Sequence, residues 1–415
     1  MKLSTEQEKA RDAVLAWAEG GEQAFVLGGY AGTGKTTMLR EIFRELGSDR
    51  VSCHTPTGKA AAVLQEKLGD DVGEGEVRTI HSLLYTPDPP DPQKVKDLQK
   101  ALEMTDDPRM AKEIQAAMDA EQKRIDRNEI RWIEKDEDRD IVIVDEASMV
   151  SPRMEADLRR CASRILFVGD PFQLPPVDPA AERRGEVLDF FERNRPDAVL
   201  TEIHRQAGES AVLAMATAIR NDEPFNGWND SDCRYMEGCT AQDLAGADAI
   251  ITGKNNTRRM INRAVRRENG YDGSLPGKGE RLICLRNDRV TGLVNGVPGV
   301  TTSDAKVHPD AEEHVFKVDM LYDGRKVMKD VKIDTHAFEL YRDARTRRDA
   351  LIRSVPRHEF DFGYALTVHK SQGSEWDHVL VYDDAMMAHK KLFRRRWAYT
   401  AATRAAKRLT WVKEF

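Results

Sequence analysis

The stretch GGYAGTGKTT, Gly28 to Thr37, constrains this chain more than any other feature of it. Its spacing, Gly29-x-x-x-x-Gly34-Lys35-Thr36, is that of a phosphate-binding loop. In such a loop backbone N–H groups curl around phosphate oxygens, a lysine neutralises charge and a hydroxyl ligates magnesium. The preceding QAFVLGG is a short apolar run that reads as a buried strand, and the following TTMLREIFREL sets Met38, Leu39, Ile42, Phe43 and Leu46 at helical spacing. Strand, loop and helix in that order place an anion at the positive end of a helix dipole. The sequence therefore predicts an α/β domain holding ATP on Gly29, Gly32, Thr33, Gly34, Lys35, Thr36 and Thr37, with Mg2+ beside it.

Two further apolar runs end in polar groups. IVIVDEASMV (141 to 150) closes on Asp145 and Glu146, and RILFVGDPFQLPPV (164 to 177) leads to Gln173 in a loop stiffened by prolines. Both read as strands of a parallel sheet with chemistry at their carboxyl ends. Between them SPRMEADLRRCA carries a serine followed by proline, the opening of a helix. A magnesium on Thr36 needs a nearby carboxylate, and an attacking water needs an orienting group. Asp145 suits the metal, Glu146 the water, and the Gln173 amide the terminal phosphate. Arg205 in LTEIHRQ and Arg404 in YTAATRA are candidate arginine fingers.

A chain of 415 residues exceeds one ordinary core. A second strand-turn-helix theme, ADAIITGKNNTRRMINRAVRREN, together with HVLVYDDA and LTWVKEF, predicts a second α/β domain. Residues 86 to 140 open with TPDPPDP and carry 16 acidic against 11 basic residues, reading as a charged, helical insertion. In residues 286 to 355, HVFKVDMLYDGRKVMKDVKI predicts a small β insertion with a DG hairpin turn. No apolar run of about 18 residues occurs, and the first residues are polar. The expectation is a cytoplasmic protein with no membrane partner. The five cysteines are scattered and read as reduced thiols. With a net charge of −7, nucleic-acid contact must come from local patches, of which HKKLFRRRW (389 to 397) is one candidate.

The order of GYAGTGKTT, CHTPTGKAAAVL, TIHSLLY, IVIVDEASMV, FVGDPFQLPPV, LTEIHRQ, LTVHKSQGSEWDHVLVY and YTAATRA resembles a superfamily 1 DNA helicase of the RecD-like and Dda-like branch, which moves 5′ to 3′. The resemblance runs from Gln7 to Arg404. It implies two RecA-like domains, parallel sheets flanked by helices, at 1–85 with 141–195 and at 196–285 with 356–415. Residues 86–140 fall where the family inserts a strand-separating pin, and 286–355 where it inserts an SH3-like unit. By the same resemblance Gln7 reads adenine, and Lys35 and Thr36 hold the phosphates and magnesium. Gln173, Arg205 and Arg404 contact the γ-phosphate. Gly373 and Glu375 lie beside the nucleotide, and Thr55, Pro56, Thr57, His81, Thr367 and His369 line the DNA track.

Single-stranded DNA and forked or tailed duplex are the implied partners of a monomer, with a single-strand binding protein or replication and recombination proteins alongside. A translocase or motor subunit that does not unwind alone is the alternative. RNA stays open as a substrate, since no residue reads the 2′-hydroxyl. Tyr85, Trp376 and Phe172 are either base-stacking or core groups, and Trp132 in the insertion is either a wedge or a buried side chain.

Overall fold

The computed structural model describes residues 3–47, 50–69, 72–73, 76–127, 131–134, 139–203, 210–288, 291–307, 315–335, 338, 358–384 and 390–413. The first sheet is parallel throughout, in the order β3 (Val77–Thr79), β2 (Val51–Thr55), β6 (Arg139–Val144), β7 (Ala162–Gly169), β1 (Ala24–Gly29) and β8 (Ala198–Leu200). Ile141 to Val144 are wholly buried, as an aliphatic run covered on both faces must be. One face packs on the helices Thr5–Ala18, Lys35–Leu46 and Gly58–Leu68 through Val14, Trp17, Met38, Ile42 and Leu64. The expected Ser151 cap and Pro152 start open the helix Pro152–Cys161 on the other face.

The second sheet is also parallel, ordered β17 (Ala365–Thr367), β10 (Ala249–Thr252), β18 (Trp376–Asp383), β19 (Ala405–Lys413) and β9 (Cys233–Glu237). The helix Lys391–Ala402 covers it with Trp397, fully buried and edge-on to Trp411 at 6.0 Å. Two RecA-like domains are thus present.

The third sheet is antiparallel: β13 (Lys306–Val307), β14 (Val315–Tyr322), β12 (Pro298–Thr301), β11 (Arg281–Cys284) and β16 (Phe360–Phe362), with β15 (Lys326–Asp334) on the free side of β14. The DG turn joins β14 to β15, with Asp323 (φ 53°) and Gly324 (φ 65°) both left-handed. Phe316, Phe338, Phe360 and Phe362 share one core with Ile250 and Leu380 of the second domain, so the β-rich unit is fused to that domain.

The first insertion holds two helices, Pro92–Glu103 and Pro108–Arg127, standing on an antiparallel ribbon of β4 (Tyr85–Asp88) and β5 (Arg131–Glu134). The ribbon had no signal in the sequence because its strands lie on either side of the helix pair. The side chain of Trp132 lies outside the described residues. Tyr85 belongs to the core: it is buried, bonds Asp157 through its hydroxyl and stacks on His81 at 4.8 Å.

Candidate nucleotide site and nucleic-acid track

Strand ends of the first sheet bring the motif residues together. After β1, Gly32 (φ 79°) and Gly34 (φ 78°) take the left-handed conformation that glycine adopts without cost. The loop curls tightly enough for Lys35 Nζ to donate to the carbonyls of Gly29 (2.7 Å) and Tyr30 (3.0 Å), while Thr36 and Thr37 follow in the first helical turn. Gln7, in a capping box with Ser4, is buried and donates through Nε2 to the Thr33 carbonyl at 3.1 Å. The adenine candidate is therefore bonded to the phosphate loop itself.

Asp145 follows β6, its N–H donating to the His54 carbonyl at 2.9 Å. Glu146 turns the chain with φ 58°, a conformation that costs a non-glycine residue on the order of 1–3 kcal/mol. Behind this turn, a Cβ on Gly169 at the end of β7 would stand 2.9 Å from Ala147 N, so only glycine lets the two strand ends approach this closely. Burial, then the Glu146 carboxylate, push the Asp145 carboxyl up to about 7, and Lys35 pulls it down. A crowded carboxyl pair within reach of the Lys35 ammonium fits a divalent cation. Thr36 and Asp145 would hold it, and it would neutralise phosphate charge there. Gln173 is also buried, and among the described residues its Oε1 has no hydrogen-bond partner, an orphaned polar atom that a ligand or water would satisfy.

From the second domain comes Arg404, buried, with Nε on the Thr400 carbonyl (3.1 Å), Nη1 on the Ser374 carbonyl (3.2 Å) and Nη2 on Thr403 Oγ1 (3.2 Å). Arg205 lies outside the described residues. Gly373 and Glu375 ride on the helix Gly58–Leu68: a Cβ on Gly373 (φ 70°) would meet Ala60 Cβ at 2.9 Å, and Glu375 pairs with Lys67 at 3.3 Å. Lys59 of the same helix stands 4.8 Å from the Trp376 ring, and burial lowers its ammonium to about 8 against a smaller pull from Asp323. The β-rich unit joins this seam, since a Cβ on Gly58 would fall 2.4 Å from Val294 Cγ1 and Arg325 pairs with Glu66 at 3.1 Å.

The track candidates sit at carboxyl ends of both sheets. Thr55 faces Thr79 across β2 and β3, and Thr367 faces Thr252 across β17 and β10. Thr79 and Thr252 carry no signal in the sequence, because only strand register sets a threonine at a strand end beside another. Thr55 Oγ1 donates to the Thr57 carbonyl (2.8 Å) across Pro56, and Thr57 caps the next helix through Ala60 N–H (3.2 Å). His81 is exposed against Tyr85, whereas His369 is half-buried, its imidazole pushed below its ordinary range by that burial, and among the described residues its Nε2 has no partner. Phe172 packs edge-on to Tyr399 at 5.4 Å.

The basic run 389–397 is largely spoken for. Lys391 and Arg395 pair with Asp222 (2.5 and 3.7 Å), Arg394 with Asp383 and Arg396 with Asp189. Four of its charges, Lys391, Arg394, Arg395 and Arg396, are thus engaged in ion pairs, while Lys390 stays exposed.

Residues 2–231 match the AAA domain family, more than half of the chain. The chain belongs to that family. Residues 362–412 match the UvrD-like helicase C-terminal domain, and with the RecD-type relatives below this supports a superfamily 1 helicase of the RecD-like branch. An ATP-dependent RecD2 DNA helicase of Deinococcus radiodurans is 26% identical over 98% of this chain and 48% of its own length. The chain thus spans about half of that relative. The RecBCD enzyme subunit RecD of Mycolicibacterium smegmatis is 26% identical over 97% of this chain and 70% of its own. Among solved structures, Bacteroides Pif1 bound to single-stranded DNA superposes with a TM-score of 0.53 at 18% identity, covering 99% of this chain and 92% of that one. Pif1 of Candida albicans gives 0.51 at 21%, covering 100% and 95%. These likenesses bear on the fold. Among the described residues no helix is long and apolar enough to cross a membrane.

Proposed function

We propose that this chain is an ATP-dependent DNA helicase that hydrolyses Mg-ATP between its two RecA-like domains and moves 5′ to 3′ on single-stranded DNA. The observation that carries this reading is the placement of Lys35, Asp145, Glu146 and Gln173 on the first sheet beneath a seam to the second domain, whose helix Lys391–Ala402 leads directly into Arg404. Lys35 and the loop amides bind phosphate, Glu146 orients water, and Arg404 must release the Thr400 and Ser374 carbonyls to reach a γ-phosphate. That release couples hydrolysis to movement between domains.

The threonine pairs at the strand ends, with backbone amides near them, grip phosphates without reading bases. The chain acts as a cytoplasmic monomer on single strands and on forked or tailed duplex. RecD-type relatives that are subunits of a larger enzyme support a second reading, a motor that translocates without unwinding alone. ATPase assays with and without single-stranded DNA test the site. Lys35→Ala is expected to fall below about 1% of wild-type stimulated turnover with an unchanged circular dichroism spectrum. Wild-type turnover in that variant would remove the loop from the mechanism.

A further inference from the structure

We propose that Tyr399 is an inter-domain positioning residue that transmits the state of the phosphate loop to Arg404, an inference that rests on the ATPase reading above. Its phenol oxygen joins three segments. The N–H of Ala31, inside the phosphate loop, donates to it at 2.8 Å, and its own O–H donates to Asp170 Oδ2 at 2.7 Å. Asp170, fully buried at the end of β7, accepts the Phe172 N–H on its other oxygen at 2.9 Å. The ring itself is 2% exposed and held edge-on against Phe172. Burial, and after it the Asp170 carboxylate, hold the phenol well above its ordinary range, so the hydroxyl keeps the proton it donates.

Tyr399 sits on the helix that presents Arg404. The next residue, Thr400, accepts the Leu174 N–H on its hydroxyl at 3.0 Å and the Arg404 Nε on its carbonyl at 3.1 Å. One turn of helix therefore holds the phosphate loop, the loop after β7 and the arginine. A second contact reinforces the first: Arg220, from the helix Ala211–Asn221, lies 3.7 Å from the centre of the Tyr30 ring. Two successive residues of the phosphate loop, Tyr30 and Ala31, are each held by a side chain of the second domain. When phosphate draws the loop amides toward itself, the Ala31 N–H shifts or turns, and its bond to Tyr399 must lengthen or drag the helix with it. Either response moves the Thr400 carbonyl that holds Arg404. The loop and the arginine are thus biased by one shared element, which is the physical requirement for coupling.

The test is Tyr399→Phe in the full chain, which removes one oxygen and keeps the ring on Phe172. Steady-state ATPase is measured with and without single-stranded DNA, and binding of a fluorescent ADP analogue alongside. The expected result is a fall in DNA-stimulated kcat of about tenfold or more, with KM and ADP affinity within about threefold of wild type. Asp170→Ala takes away the acceptor of the Tyr399 hydroxyl from the other side of the cleft, along with that of the Phe172 N–H, and is expected to show the same split. The double variant is expected to fall short of the product of the two single losses, because each single already removes the Tyr399–Asp170 bond. Thermal unfolding separates loss of coupling from loss of fold, and if Tyr399→Phe melts early, Asp170→Ala decides. Wild-type kcat and stimulation in both variants, or additive losses in the double, would overturn the proposal. A wild-type chain whose ATPase ignores single-stranded DNA would instead sink the helicase reading, and basal turnover of the same variants would still judge Tyr399.

Discussion

Arg404 spends all three of its guanidinium nitrogens on oxygens of its own domain, two of them backbone carbonyls. In the proposed mechanism a residue so held contributes little to ground-state binding and acts when the cleft rearranges. Arg404→Ala is accordingly expected to lower DNA-stimulated turnover by about a hundredfold or more while changing ATP affinity little, as for other arginine fingers. Titration of ATP against rate and against a fluorescent analogue separates the two quantities. Lys59 makes a different test at the same scale. Its ammonium is lowered to about 8 by burial, so between that pH and the ordinary lysine range the unfolded chain binds a proton that the folded chain does not. Stability therefore gains from this group as pH rises through that window. Lys59→Met keeps the stem on Trp376 and abolishes the titration. The melting-temperature difference, wild type minus variant, is expected to climb from pH 7.5 to 10, and a flat difference would contradict the burial of the charge.

At the scale of elements, legibility in the sequence follows the range of the forces. The phosphate loop, the Ser151-Pro152 helix start and the DG hairpin are set by residues within a few positions of one another, so their chemistry is on the page as soon as the chain is read. The ribbon under the first insertion and the pairings Tyr399–Asp170 and Glu375–Lys67 join residues far apart in sequence, and no local pattern announces them. Partners distant in sequence engage the basic run in the same way, since Asp222, Asp383 and Asp189 take up four of its charges.

The insertion itself is built as a stiff arm. Arg124 and Glu121, each 3% exposed, bond each other at 2.6 Å, and Arg124 also holds the Asp88 carboxylate of the ribbon at 3.1 Å. Removing Arg124 leaves Glu121 with the more distant Lys94 at 3.7 Å as its counter-charge and frees the Asp88 end of the ribbon. Arg124→Met is expected to speed proteolytic cleavage between the two helices and to reduce duplex displacement, with single-strand-stimulated ATPase within about twofold of wild type. Equal loss of both activities would mean that the arm supports the first domain and not the separation of strands.

For the whole molecule, the two parallel sheets, the β-rich unit fused to the second, and a seam carried by the helix Gly58–Leu68 bring the candidate nucleotide site and the candidate track to one junction. Every seam contact named above, from Gly58 on Val294 to Lys67 on Glu375, must shift if the cleft opens. Direction of travel is the property that joins site, seam and track, and it is read most directly by strand displacement with Mg-ATP on two partial duplexes, one with a 5′ single-stranded tail and one with a 3′ tail. Displacement of the 5′-tailed duplex alone is the expected result. Displacement of the 3′-tailed duplex, or of neither while single strands still stimulate ATP hydrolysis, would contradict a 5′-to-3′ helicase, and the second outcome would leave a motor that walks without unwinding.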